Sequence, residues 1–96
     1  MEKFSLQNYL MPQISCFLGV IIRMFYRDHN PPHFHAVYAN FEGIIDIEKN
    51  EIIGGHLPFR VLGIVKEWAS LHQNELMDNW ERARQQEGLK DIAPLV

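Results

Sequence analysis

With 96 residues the chain has room for one domain and none for a second, since single cores occupy about 100 to 150 residues. Its 47% apolar and 22% charged composition is ordinary globular usage and excludes a disordered chain. A formal net charge of −3 excludes non-specific coating of nucleic acid, which depends on many Lys and Arg contacts to phosphate; a local basic site stays open.

Cys16 is the only cysteine and cannot form an internal disulfide. No apolar run approaches the roughly 18 to 20 residues that span a bilayer. Residues 1–18 also lack the basic and apolar regions of a secretory signal. The expected setting is cytoplasmic, with no membrane partner.

Residues 1–18 mix apolar and polar side chains without a clean period, and Pro12 interrupts any helix begun upstream. Residues 1–10 read as an N-terminal extension, with Phe4, Leu6, Tyr9 and Leu10 forming a short amphipathic turn packed on the body. Cys16 reads as a small buried apolar group, not a nucleophile, because nothing beside it in sequence would activate the thiol. A strand is expected over residues 19–27, where β-branched and aromatic residues dominate. Ile22, Met24 and Tyr26 would share one face, and Ile21, Arg23, Phe25 and Arg27 the other.

Asp28-His29-Asn30-Pro31-Pro32 must be a connection, because two prolines remove two backbone donors and disfavour the helical region before them. Along residues 33–39 the odd face carries His33, His35 and Val37, and the even face Phe34, Ala36 and Tyr38. Asn40-Phe41 is the expected hairpin turn. Over residues 42–48, Gly43, Ile45 and Ile47 then alternate with Ile44, Asp46 and Glu48. That turn places Asp46 opposite His35 and Glu48 opposite His33. Phe34, Ala36, Tyr38, Ile45 and Ile47 would share the buried face, leaving imidazoles, carboxylates and Arg23 on an open face outside the core. Lys49-Asn50 makes a second turn, and Glu51-Ile52-Ile53 a short fourth strand that Gly54-Gly55 ends.

From Leu57-Pro58 the period becomes helical: Val61, Val65, Trp68, His72, Leu76, Trp80 and Ala83 recur every three or four residues. The span 57–87 is one long helix or two joined near His72-Gln73-Asn74, and two is favoured because the span exceeds the usual helix length of roughly 8 to 20 residues. Trp68 and Trp80 read as core anchors, and His56 and His72 as residues with local partners. The organisation is one domain, with a segment and sheet over 11–56, helices over 57–87 and a tail over 88–96. The fold class is α+β: a three- or four-stranded antiparallel meander with C-terminal helices packed on one face.

Several stretches together resemble a known family: Met11-Pro12-Gln13-Ile14-Ser15, Asp28-His29-Asn30-Pro31-Pro32-His33-Phe34-His35, Ile45-Asp46-Ile47-Glu48, Glu67-Trp68 and Asn79-Trp80. The likeness is to short bacterial and archaeal proteins classed as a domain of unknown function, and it covers roughly residues 11–95. It implies a context more than an activity, because such proteins are commonly encoded beside another small protein in toxin–antitoxin-like pairs. A small cognate protein is therefore the implied partner.

Three of five histidines fall within residues 29–35, and neutral imidazole serves near pH 7 as base, ligand or hydrogen-bond partner. Three functions compete for this cluster. In a small endoribonuclease, His33 and His35 would act as base and acid. Arg23 or Arg27 would stabilise the phosphorane, Asp46 would orient an imidazole, and His29, Arg27 and Glu48 would flank the RNA. The basic rim is thin, limited to Arg23, Arg27 and Arg60. In a divalent-metal protein, for zinc or iron(II), His33 and His35 would supply two ligands and Asp46 or His29 a third. In an interaction module, the sheet face would dock the partner, and an exposed edge strand would let a second copy pair as a dimer. The catalytic reading requires no cofactor.

Overall fold

The computed structural model describes residues 11–96, so the expected N-terminal extension and its amphipathic turn lie outside the described residues. Five strands form one antiparallel sheet in sequence order: β1 Gln13–Phe17, β2 Val20–Arg23, β3 His33–Tyr38, β4 Phe41–Asp46 and β5 Glu51–His56. Two helices follow, α1 Phe59–Leu71 and α2 Gln73–Arg84, and the chain breaks between them at His72. The class is α+β as expected, with one strand more than the three or four read from the sequence. Among the described residues, no helix is long and apolar enough to cross a membrane.

The added strand is β1, and its side chains do not alternate: Ile14 and Ser15 are both buried while Cys16 is exposed. The register with β2 shifts between Gln13 and Ser15, the mark of a bulge that turns the following side chains to the opposite faces. That broken period hides the strand from a period-two reading. It also corrects the expectation that Cys16 is buried. Leu18 and Gly19, both at positive φ, make the turn into β2 in the conformation a type I′ hairpin needs.

The β3–β4 hairpin turns one residue earlier than expected, at Ala39-Asn40, where Ala39 takes φ +52°. Phe41 stays in the strand, as an aromatic residue prefers. His33 therefore pairs with Asp46 and His35 with Ile44, a shift of two residues from the expected register. A shift of two preserves every face and changes every partner. Phe34, Ala36, Ile45 and Ile47 are buried as expected, together with Val20, Ile22 and Met24. β5 also runs through Gly54-Gly55 instead of ending there. At Gly55, φ is +69° and an added Cβ would lie 2.1 Å from the Glu42 carbonyl, so only glycine carries the strand past the irregularity at Ile44/Ile45.

The helices cover the even face with Val61, Val65, Trp68, Leu76, Trp80 and Ala83, the stripe read from the sequence. Trp68 packs its ring against Phe17 at 5.2 Å and Phe34 at 5.8 Å. The tail is fastened to the same core. The Trp68 indole donates to the Ala93 carbonyl at 2.9 Å, the Ile92 N–H donates to the Ile14 carbonyl at 2.8 Å, and the buried Asn79 amide meets both backbone groups of Lys90.

Candidate metal centre

His33 and His35 occupy the odd face of β3, but that face is not open. They are 6% and 7% exposed, against 0% for Phe34 between them. Their cover comes from either side of the sheet's histidine end. The Phe25 ring meets His35 edge-on at 4.5 Å, the Trp80 indole of α2 lies 5.2 Å from His33, and the two imidazoles are 5.3 Å apart. The connection between β2 and β3 doubles back and brings Asp28, five residues upstream, onto the His33 ring. This corrects the expectation of histidines outside the core: the proline-rich connection folds over them.

Each imidazole is anchored through Nδ1. His33 Nδ1 lies 2.7 Å from the Pro31 carbonyl and His35 Nδ1 lies 2.8 Å from Glu42 Oε2. A carbonyl and a carboxylate only accept, so both Nδ1 atoms donate and both Nε2 atoms turn inward. His33 Nε2 donates to Asp28 Oδ2 at 2.8 Å, a hydrogen that a bound ion would replace, and His35 Nε2 sits 3.9 Å from the same oxygen. His35 Nε2 is buried and has no hydrogen-bond partner.

Burial pushes the Asp28 carboxyl up, but the His29 N–H at 2.9 Å and the His33 imidazole outweigh it and hold the carboxyl below its ordinary range. Asp28 is thus an ionised acceptor facing two imidazole nitrogens. One atom from each of Asp28, His33 and His35 falls within 4.8 Å of the others, and no other histidine, cysteine or carboxylate cluster of three does so among the described residues.

These residues fit a divalent ion. Around an ion with bonds of about 2.0 to 2.2 Å, tetrahedral ligand atoms lie roughly 3.4 Å apart. The separations of 2.8 and 3.9 Å bracket that value. The outer contacts fit as well, because metal-bound imidazoles donate their other N–H to a carbonyl or carboxylate, here Pro31 and Glu42.

Residues 19–81 match the family described as Domain of unknown function (DUF4160). The chain belongs to that family. No curated protein and no solved structure matches it. The matched span contains Asp28, His33, His35, Glu42 and Trp80.

The other residues singled out from the sequence fall outside the three-atom cluster, some beside it and some at a distance. Asp46, expected as the imidazole's carboxylate partner, faces His33 in the ladder but accepts from the Lys49 N–H at 2.8 Å and so shapes the β4–β5 turn. Glu48, expected opposite His33, is exposed past the end of β4, and its carbonyl accepts from Gln73. Arg23 pairs with His35 across β2 and β3 and donates to the Met11 carbonyl at 2.9 Å. Arg60 lines a groove along α1. Arg27 and His29 flank Asp28 on the solvent side, and the His29 side chain is 92% exposed.

Two residues of the candidate site escaped sequence reasoning. Asp28 read only as part of a connection, although two rigid prolines between it and His33 signal a chain that turns back. Glu42 read only as the start of a strand. Once the turn sits at Ala39-Asn40, Glu42 lies diagonal to His35 on the imidazole face, within reach of a long side chain.

Proposed function

We propose that this chain is a divalent-metal protein whose ion is held by His33 Nε2, His35 Nε2 and the Asp28 carboxylate. The observation that carries this reading is His35 Nε2, buried and unpartnered beside two other donors. A buried polar atom without a partner costs about 1 to 3 kcal/mol, a penalty that a ligand at the shared point removes.

Three protein ligands leave a further position for water, and a divalent ion makes such a water nucleophilic near neutral pH. This suits hydrolysis. The protein's own contribution is to fix the two rings through Pro31 and Glu42, to keep Asp28 ionised, and to exclude solvent with Phe25 and Trp80. The metal-free endoribonuclease is less well supported: it gives the converging Asp28 carboxylate no role, and the Arg23 guanidinium is engaged with Met11. The interaction module draws on the 93% exposed Phe59 of α1, but it leaves the converging donors unexplained. In the toxin–antitoxin-like pairing that the resemblance implies, a hydrolytic centre suits the toxin-like member, with RNA as its target.

Elemental analysis of the chelator-stripped, zinc-reloaded protein tests the reading. One ion per chain is expected in the wild type and in Asp46→Asn, and a large loss of zinc in His35→Leu and Asp28→Asn with unchanged circular dichroism. An ion-free wild type, or variants that keep full occupancy, would overturn it.

A further inference from the structure

Asp28 has a second side. Beyond the imidazoles it helps line an open pocket of about 350 Å³, whose other walls are Arg27, His29, Asn30 and Arg84. The fold assembles these walls from two distant stretches. Arg27 takes φ +57°, and its N–H donates to the Ala83 carbonyl at 3.2 Å, which pins the connection to the last turn of α2, where Arg84 follows.

Two arginines thus line one open pocket in a chain with 12 acidic and 9 basic residues. Neither has a carboxylate within ion-pair distance among the described residues, whereas nearby Arg82 is paired with Asp78 and Glu87. The Arg27 guanidinium is oriented by a neutral group. The Gln86 amide, with its oxygen toward the guanidinium, accepts from Nη1 at 2.7 Å and Nε at 3.2 Å. That contact fixes the direction of the guanidinium and leaves its charge unneutralised. Arg84 makes no hydrogen bond or ion pair among the described residues.

Resting on the metal reading above, we infer that this pocket seats a phosphate group, which makes the ligands of the centre phosphate esters. Guanidinium pairs with phosphate oxygens in a bidentate fork, and two arginines together suit the charge of that group. A phosphate oxygen left over can meet the open position beside Asp28, a reach that the two oxygens of a carboxylate, already held by two arginines, do not offer. His29, on the solvent side of Asp28, adds a third donor at the same mouth.

Calorimetric titration of inorganic phosphate into the protein, carrying one equivalent of zinc or stripped by chelator, tests this, with Arg84→Gln as the main variant and Arg27→Gln as the second. Arg84→Gln removes no contact among the described residues, so its fold is expected to be intact. Phosphate should bind the zinc-loaded wild type, and about tenfold or more weakly in Arg84→Gln, with zinc stoichiometry unchanged. If zinc binds but phosphate does not, or binds both proteins equally, the phosphate pocket is overturned and the metal centre stands. If phosphate binds through Arg84 although zinc does not bind, the pocket stands and the metal centre falls. Binding of neither overturns both. A second titration, with an oligoribonucleotide bearing only hydroxyl ends, identifies the source: tighter binding than inorganic phosphate marks an internal diester, and weaker binding marks a terminal phosphate.

Discussion

Phe34 and Ala36 on one face of β3, and His33 and His35 on the other, are all more than nine-tenths buried, but different things bury them. The even face is sealed by two helices whose contacts are almost wholly apolar, with Trp68 against Phe34 and Phe17. Side chains buried in this way contribute roughly 1.5 to 3 kcal/mol each. The odd face is sealed by Phe25 and a proline-rich connection, with Trp80 of the apolar core also reaching the His33 ring, and it encloses nitrogens and a carboxylate that need partners. His35 Nε2 has none, and neither has the Trp80 indole nitrogen. Two faces of a single strand therefore differ in kind: one is apolar and supplies stability, and the other encloses a polar arrangement with an unmatched imidazole nitrogen.

Substitutions can break that division. The largest effect is expected for Trp68→Ala, which should cost about 3 to 5 kcal/mol in denaturant unfolding of the metal-free protein while the folded fraction still binds zinc. A loss under about 1 kcal/mol would show that the even face is not the seat of stability. Next in size is the ligand's own effect. Zinc at a hundred times its dissociation constant should raise the unfolding free energy of the wild type by about 2.7 kcal/mol and leave His35→Leu unchanged. Without metal, His35→Leu should unfold within about 1 kcal/mol of the wild type, because it removes an unmatched nitrogen along with a hydrogen bond to the half-exposed Glu42.

Smaller effects sharpen the comparison. Glu42→Gln should weaken zinc binding roughly 10- to 100-fold in a chelator competition, because the carboxylate fixes the His35 tautomer. Asp46→Ala should leave zinc affinity unchanged and cost about 0.5 to 1.5 kcal/mol, the worth of its contact with the Lys49 N–H. The smallest effect lies away from β3. The hydrogen bond and charge of Arg82 hold the exposed Asp78 carboxyl below its ordinary range. The stability this pair adds is present above the ordinary carboxylate value and lost as pH falls through the depressed one. Melts of the wild type and Asp78→Asn should therefore differ slightly at neutral pH and converge in acid.

The even face was legible because it obeys a period: Phe34, Ala36 and Ile45 alternate, and Val61 to Ala83 recur at helical spacing. The division of the helical span at His72 followed from length alone. β1 was illegible because its bulge puts Ile14 and Ser15 inside together. The histidines' shared face was legible, but their partners were not. Ala39 adopts a positive φ that residue preferences assign to Asn40, and a turn moved by one residue moves every partner by two. Asp46 and Glu48 were thus named where Glu42 belongs. Asp28 depends on the path of a loop, which neither the period of two nor that of 3.6 describes.

X-ray absorption of the zinc-loaded protein at the metal edge tests the central claim most directly. Two imidazole nitrogens with an oxygen shell, all at about 2.0 to 2.2 Å, are predicted. A shell of oxygens alone, or a sulfur at about 2.3 Å from the exposed Cys16, would contradict the assignment of His33, His35 and Asp28 as the metal centre.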